Sequence, residues 1–188
     1  MQPTSLLRSA ATMAVLSVLS LLLFQTAQAQ TETVLYNFCS VGGCFDGEYP
    51  IGPLVAGANG TFYATSGSGG TSGSGTVFGL FPEPSGGCET GINAGNGWCE
   101  FVLYNFCSVA NCADGNEPLS NVSYLNAHFR KPGNLYGTAY SGGSHNAGVV
   151  FEVSSKPILS GCPTGSNTSG GWCETVIYNF CSFTFGEI

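Results

Sequence analysis

The sequence predicts an all-β protein made of tandem four-stranded antiparallel repeats that resemble β-propeller blades. The pentapeptide Tyr-Asn-Phe-Cys-Ser occurs at residues 36–40, 104–108 and 178–182, at spacings of 68 and 74 residues, and such a period is typical of repeat architectures. Short apolar stretches between these copies alternate with glycine-rich turns, which indicates strands. Two repeats and one extra strand cannot close a propeller, which takes about four to eight blades. We therefore expect an incomplete ring, with an open β-sandwich-like stack as the alternative.

The first 29 residues are predicted to be an export signal. Arg8 precedes an apolar run at residues 14–24, and Ala27-Gln28-Ala29 forms a small-x-small triplet that fits cleavage after Ala29. The run is shorter than the roughly 20 residues that span a bilayer, so we expect no membrane insertion after cleavage; an uncleaved anchor is the alternative. Residues 30–188 then form the β-repeat domain. It comprises a partial repeat at 30–44, repeat one at about 45–112, repeat two at about 113–181, and a divergent or truncated end at 182–188.

Four strands are predicted in each repeat. Residues 33–38 place Val34, Tyr36 and Phe38 on one face, and the pattern returns at 102–106 and 176–180, which indicates a strand in every copy. The other predicted strands are 53–56, 61–65 and 76–81 in repeat one, and 122–126, 134–140 and 149–153 in repeat two. Asn59-Gly60 and Pro132-Gly133 provide the turn residues between the first two strands.

The cysteine spacing predicts four local disulfides. All nine cysteines follow the signal, and two spacings, C-x4-C and C-x10-C, each occur twice. Export to an oxidising compartment favours disulfides over a zinc site, whose usual C-x2-C spacing is missing. The predicted pairs are Cys39–Cys44, Cys107–Cys112, Cys88–Cys99 and Cys162–Cys173. Cys181 lacks a partner because residue 186 is glycine, so we expect either a truncated copy or an intermolecular bond.

The charge balance argues against two classes of partner. Residues 30–188 contain eleven acidic side chains but only three basic ones, Arg130, Lys131 and Lys156. Nucleic acids and anionic membrane surfaces are recognised by clustered basic side chains. Neither is therefore an expected partner.

Candidate catalytic groups are few. No serine lies in a Gly-x-Ser-x-Gly motif, and the two histidines, His128 and His145, are confined to repeat two. Ser141 or Ser144 with His145 would form a nucleophile–base pair, but no motif orients it. Glu32, Glu100 and Glu174 recur at the start of the same predicted strand. Since a catalytic acid pair needs two different environments, we interpret these recurring glutamates as structural or edge residues.

Two further groups are candidate binding residues. Asp46 and Asp114 follow the C-x4-C pairs within Asp-Gly turns and are weak calcium candidates, since calcium prefers clustered oxygen ligands. No other cofactor is expected. Trp98, Tyr140 and Trp172 are predicted at loop edges, where aromatic rings could stack on sugars or partner side chains.

The second repeat resembles a known repeat family. The runs at residues 133–138, 142–143, 148–153 and 176–180 are similar to the GloVer-type repeat of bacterial choice-of-anchor tandem-repeat proteins. The resemblance covers residues 31–182 and is looser in repeat one, where residues 61–65 read Thr-Phe-Tyr-Ala-Thr. It implies an exported, often surface-attached bacterial protein of undefined biochemical activity.

We therefore predict a secreted structural or binding module without catalytic activity. Its expected partner is a glycan or protein at the cell surface, or further blades of its own kind. The alternative is a fragment of a secreted carbohydrate-active propeller enzyme, a glycosidase or lyase, whose acids would lie in blades outside this chain.

Overall fold

A computed structural model describes residues 31–83, 87–88, 91–125, 133–155, 162, 167–169 and 171–181. The predicted export signal, His128, the three basic residues named above and residues 182–188 lie outside this part of the chain. The chain divides into two compact units, Met1–Thr33 and Val34–Ile188. Residues 31–33, which include Glu32, are exposed and have no regular structure. Every described strand belongs to the second unit.

The all-β prediction is confirmed by two antiparallel sheets. Sheet one has the strand order β1-β2-β3-β5-β4, and sheet two repeats this topology as β6-β7-β8-β10-β9. Sheet one contains β1 (Glu48–Ala56), β2 (Phe62–Ser68), β3 (Thr76–Pro82), β4 (Ile92–Asn93) and β5 (Trp98–Asn105). Sheet two contains β6 (Ser123–Leu125), β7 (Asn134–Ala139), β8 (Val149–Ser155), β9 (Asn167–Ser169) and β10 (Trp172–Asn179). Neither sheet closes on itself.

The short strands β4 and β9 were not predicted. Each pairs with the strand that follows the C-x10-C loop, through Ile92 and Asn93 in sheet one and residues 167–169 in sheet two. Without them, each sheet is the predicted meander of four strands. The long hairpin thus continues the sheet by a few residues instead of forming only a loop.

The predicted strand at residues 33–38 is wrong. In the second copy, Tyr104 and Asn105 pair with Val77 and Thr76 of β3, whereas no described strand lies beside residues 34–38. The main-chain carbonyls of Val34 and Leu35 instead accept hydrogen bonds from the Asn96 side chain, at 2.7 and 3.1 Å. A strand needs a neighbouring ladder, so the same sequence forms one only where a preceding sheet is present. We call residues 34–38 the arm.

The turn after β1 follows the predicted chemistry. Asn59 and Gly60 both have positive φ, at 56° and 75°, within the short 3-10 turn Ala58–Gly60. Residues 131–132 of the corresponding turn in repeat two lie outside the described residues.

The larger core cluster lies between the two sheets. Its fully buried members are Tyr63, Val77, Leu103, Tyr104, Phe106, Val122, Leu135, Ala139, Val149, Phe151 and Val153. Aromatic contacts cross the interface: Tyr63 stacks on Tyr124 with ring centroids 5.5 Å apart, and Phe106 meets Phe151 edge-on at 4.9 Å. The face of sheet one that carries Tyr63 and Val77 therefore packs against the face of sheet two that carries Phe151 and Val153. This shared interface stabilises both repeats.

The smaller core cluster lies between the arm and the other face of sheet one. Tyr36 is buried there with Ala64, Phe78 and Leu80. Phe38 meets Phe78 edge-on at 4.7 Å, as Phe106 meets Phe151. The arm thus covers sheet one as β5 covers sheet two, although the arm has no sheet of its own.

Candidate functional site

The first recurring motif forms a hydrogen-bond cluster around the buried side chain of Asp46. Its carboxylate accepts bonds from the Tyr36 hydroxyl at 2.8 Å, from the Ser40 amide at 2.7 Å and from the Ser40 hydroxyl at 2.8 Å. The other carboxylate oxygen faces the Val41 amide at 3.4 Å. Asp46 is fully buried, so these donors replace the water that the carboxylate would otherwise need.

The second copy repeats this geometry around Asp114. Tyr104 donates at 2.7 Å, while the amide and hydroxyl of Ser108 both donate at 2.9 Å. The Val109 amide again lies 3.4 Å from the second oxygen. A Tyr, a Ser and an Asp at positions i, i+4 and i+10 therefore form one structural unit in both copies.

Hydrogen bonding outweighs burial at Asp46. Burial opposes its charge, but the bonds from Tyr36 and Ser40 hold the pKa of Asp46 below its ordinary value. The tyrosines show the reverse effect, because burial and then the carboxylate partner raise the pKa of both Tyr36 and Tyr104. At neutral pH these hydroxyls keep their protons and act as donors.

The four predicted disulfides are all present, and two of them shape these clusters. Cys39–Cys44 and Cys107–Cys112 each close a loop immediately before the aspartate. The loop returns on itself through paired main-chain bonds, Cys107 N to Gly115 O at 3.0 Å and Gly115 N to Cys112 O at 2.9 Å. Cys88–Cys99 and Cys162–Cys173 close the long hairpins.

Asp46 and Asp114, the weak calcium candidates, act in the structure as acceptors of hydrogen bonds from neighbouring side chains and amides. The oxygens of Asp46 and Asp114 face N–H and O–H donors, whereas a cation needs further oxygen ligands. Among the described residues, no group of three or more His, Cys, Asp or Glu side chains comes together.

The recurring glutamates separate by environment. Glu100 and Glu174 are fully buried, so they belong to the interior and not to an edge. Within the described residues, neither carboxyl oxygen of Glu100 has a hydrogen-bond partner. Burial, with a smaller contribution from the charge of Asp46, raises the pKa of Glu100 to about 8. The protonated form is therefore favoured at neutral pH.

The three candidate stacking residues occupy different environments. The rings of Trp98 and Trp172 are partly buried: Trp98 lies 5.7 Å from Phe62, and Trp172 lies 6.4 Å from Tyr63 across the sheet interface. Tyr140 follows β7 and is 71% exposed. The structure does not bring these rings together, and only Tyr140 presents most of its surface to solvent.

The candidate nucleophile–base pair Ser144 and His145 forms a hydrogen bond between adjacent residues. The Ser144 hydroxyl lies 2.8 Å from His145 Nδ1 on an exposed loop. Ser141 instead binds Asn116, whose side-chain amide donates to its hydroxyl at 2.9 Å. Among the described residues, no carboxylate is hydrogen-bonded to the His145 imidazole, as a catalytic triad would require.

The third copy of the motif is exposed. Ile177, Tyr178 and Phe180 are 53%, 38% and 40% exposed; we call these three residues the end patch. Their counterparts Leu103, Tyr104 and Phe106 are at most 2% exposed. Position 188, where the motif would place its aspartate, holds isoleucine. Cys181, next to the end patch, is a free and exposed thiol.

Comparisons with known proteins give no relative: no protein-family model, no curated protein and no solved structure matches this chain. The GloVer-type resemblance therefore stays a prediction.

Sequence reasoning missed the Tyr–Ser–Asp cluster. Its signal is the recurrence of Ser40 and Asp46 as Ser108 and Asp114 at fixed distances from the tyrosine. Taken separately, the aspartates indicate Asp-Gly turns and the tyrosines indicate one face of a strand. Only the fold shows that each tyrosine hydroxyl reaches the aspartate ten residues later.

Proposed function

We propose that this chain is an exported, disulfide-stabilised structural or binding module whose sheets are propeller-like blades. The observation that carries the proposal is the duplicated Tyr–Ser–Asp cluster. In both copies the tyrosine and the aspartate are buried and hydrogen-bonded to each other, so they serve to hold the loop before a sheet against the segment that precedes it. Recognition is left to side chains on the surface.

The disulfides support the extracellular part of the proposal. Four bridges in one small domain are typical of oxidising compartments. No helix in the described part of the chain is long and apolar enough to cross a membrane.

The acids support a structural role over a glycosidase or lyase. Asp46 and Glu100 have pKa values shifted in opposite directions, as in an acid–base pair. Both side chains are fully buried, however, and a glycosidic bond could not reach them without opening of the fold. We assign the opposite pKa shifts to hydrogen bonding, since the Asp46 carboxylate accepts several hydrogen bonds and the Glu100 carboxyl group has no partner among the described residues.

Exposed aromatic rings are the proposed contacts for a glycan or protein partner. Tyr49 and Tyr140 are 68% and 71% exposed, and a ring among polar side chains can stack on a sugar face. Tyr140 was also a candidate from the sequence.

The test expresses the whole chain, residues 1–188, in a bacterial host, so that the predicted export signal is present. We expect the chain in the exported fraction, with a mass eight hydrogens below the reduced form and one reactive thiol. Co-sedimentation with insoluble cell-wall polysaccharides should retain the wild type and lose Tyr140→Ala, with Leu125→Ala, at another exposed apolar side chain, as the matched control. Retention in the cytosol with reduced thiols, or release of reducing sugar ends that stops in Glu100→Gln, would overturn the proposal.

A further inference from the structure

We propose that the end patch of one chain binds sheet one of a second copy of this chain, taking the place of that copy's arm. The inference rests on the proposed stacking of blade-like units and adds a specific partner. It predicts a head-to-tail contact between identical chains.

The end patch already has the conformation of its buried counterparts. Tyr178 and Phe180 meet edge-on at 5.3 Å, the same distance as Tyr104 and Phe106. The Phe180 amide donates to Gly148 O at 3.0 Å, as the Phe106 amide does to Gly75 O. Little ordering is therefore needed before the end patch can bind.

The surface that this conformation fits is known from the interior of the chain. Phe38 packs on Phe78 in sheet one, and Phe106 packs on Phe151 in sheet two. In both places the tyrosine two residues earlier donates to an aspartate of the following loop. Phe180 and Tyr178 carry the same two groups, so they match the surface around Phe78 and Asp46.

Among the described residues outside sheet one and its hairpins, the arm is the segment that packs on this surface. The arm has no ladder partner among the described residues, and its carbonyls are held by the Asn96 side chain. The cover of sheet two is stronger, because β5 forms part of a complete sheet. Exchanging the arm for the end patch of another chain replaces the ring and hydroxyl contacts of Phe38 and Tyr36 by those of Phe180 and Tyr178, and the Asn96 bonds to the arm are lost.

The contact is expected to be weak in the wild type. The arm competes within its own chain at high effective concentration. The rest of the face around the end patch is also more polar than in sheet one, since Ser154 and Thr175 stand at the repeat positions of Phe81 and Phe101. A head-to-tail contact is heterologous, so it closes into a ring or grows as an open chain.

The thiol beside the end patch reports the register of the contact. In the exchanged arrangement Cys181 takes the position of Cys39, next to Cys44. Its thiolate would then attack the Cys44 sulfur, forming a Cys44–Cys181 bond between chains and releasing Cys39 as a thiolate. One disulfide is broken and one is formed, so no oxidant is required.

The experiment measures the mass of residues 30–188 in solution by light scattering and sedimentation over a thousand-fold concentration range. Tyr36→Ala and Asn96→Ala, which loosen the arm, should lower the concentration of half-assembly at least ten-fold. Tyr178→Asp should remain monomeric at ten times the concentration at which the wild type is half assembled. Leu125→Asp, at an apolar side chain outside the end patch that is 63% exposed, is the matched control and should assemble like the wild type.

Non-reducing peptide mapping at pH 8 should find Cys44–Cys181 in the assembled species and lose it in Tyr178→Asp. Circular dichroism of each variant checks that it is folded, and Asn96→Ala, which removes only side-chain hydrogen bonds, guards against misfolding of Tyr36→Ala. A monomer at every concentration in both loosened variants would overturn the inference. Assembly unaffected by Tyr178→Asp, or cross-linking through Cys181–Cys181 alone, would also overturn it. A monomer that binds polysaccharide would leave the proposed function standing, and an assembly with hydrolytic activity would overturn that function alone.

Discussion

The buried carboxyl groups of Asp46 and Asp114 are the most demanding residues of the fold. A carboxylate taken out of water is strongly unfavourable unless several donors surround it. Each aspartate has three donors within 3 Å, from one tyrosine and one serine. The cluster therefore favours the arrangement in which tyrosine, serine and aspartate all meet, and so fixes the position of the loop relative to the sheet.

Tyr104→Phe tests this cluster. The substitution keeps the ring but removes the donor at 2.7 Å from Asp114, leaving a buried acceptor short of a partner. We expect a loss of about 1 to 3 kcal/mol in the free energy of unfolding, measured by urea titration. Tyr178→Phe, the same change in the exposed copy, should cost less than about 0.5 kcal/mol. Equal losses at the two positions would show that the aspartate contributes nothing.

Glu100→Gln tests the buried acid. Because the folded-state pKa of about 8 lies above the ordinary value of 4.5, the folded protein binds this proton more tightly than the unfolded chain. The contribution of Glu100 to the free energy of unfolding is therefore constant below about pH 4.5 and falls as the pH rises towards 8. Relative to Glu100→Gln, the wild type should lose about 3 to 4 kcal/mol between pH 5 and pH 8. Urea titrations at both pH values measure this difference, and a constant difference would contradict the raised pKa.

Residue roles were only partly predictable from the sequence. The cysteine pairs were predictable because both spacings recur and local pairing needs no knowledge of the fold. The burial of Glu100 was not, since a charged residue in a strand otherwise indicates an exposed position. The Tyr36–Asp46 bond joins residues on either side of a disulfide loop, and no periodicity in the chain indicates it.

At the scale of elements, the disulfide loops and the glycine turns fit together closely. In sheet two, the turn after β7 approaches the Cys107–Cys112 loop, and the Gly143 amide donates to Cys112 O at 2.9 Å. Gly142 has φ of +80°, and a Cβ there would lie 2.5 Å from Cys112 O. Gly142 thus satisfies two demands, a left-handed backbone and a close approach of two chain segments.

Gly142→Ala should therefore be costly. We expect a loss of about 2 to 4 kcal/mol, from backbone strain plus the collision with the loop, measured by thermal or urea unfolding. Gly73→Ala is the matched control: its φ is +71°, but a Cβ there meets nothing within 4 Å. Strain alone should cost it roughly 1 kcal/mol. Similar losses in both variants would mean that the close approach is unimportant.

Strand prediction succeeded where the sequence pattern and the ladder agree. β2, β3, β7 and β8 lie within one to three residues of the predicted ranges, because alternating apolar residues and glycine turns mark them clearly. β1 begins five residues earlier than predicted, at Glu48, since Gly52 and two prolines within it obscure the pattern. The strand prediction for the arm was wrong for a different reason. The sequence of the arm favours a strand, but pairing depends on a neighbouring strand, which a local pattern cannot reveal.

At the scale of the whole unit 34–188, the two sheets depend on one shared core. Tyr63 and Val77 from sheet one pack with Phe151 and Val153 from sheet two in a single cluster. In a repeat protein the stability is approximately the sum of the intrinsic stability of each repeat and the stability of the interfaces between neighbours. The sequence predicts the repeat itself, but which face of one sheet meets which face of the next follows only from the structure.

Unfolding of the two sheets should therefore be one cooperative event, and the two tryptophans can report on it separately. Trp98 lies in sheet one and Trp172 in sheet two, so Trp172→Phe and Trp98→Phe each leave one fluorescent reporter. Because the core is shared, we expect both reporters to give the same urea midpoint, coincident with the midpoint from circular dichroism. Phe106→Ala, which removes the ring that packs on Phe151 at 4.9 Å, should lower both midpoints together, at a cost of about 3 to 5 kcal/mol. Two separate midpoints in the wild-type background would show that the sheets are independent domains and that the shared core does not couple them.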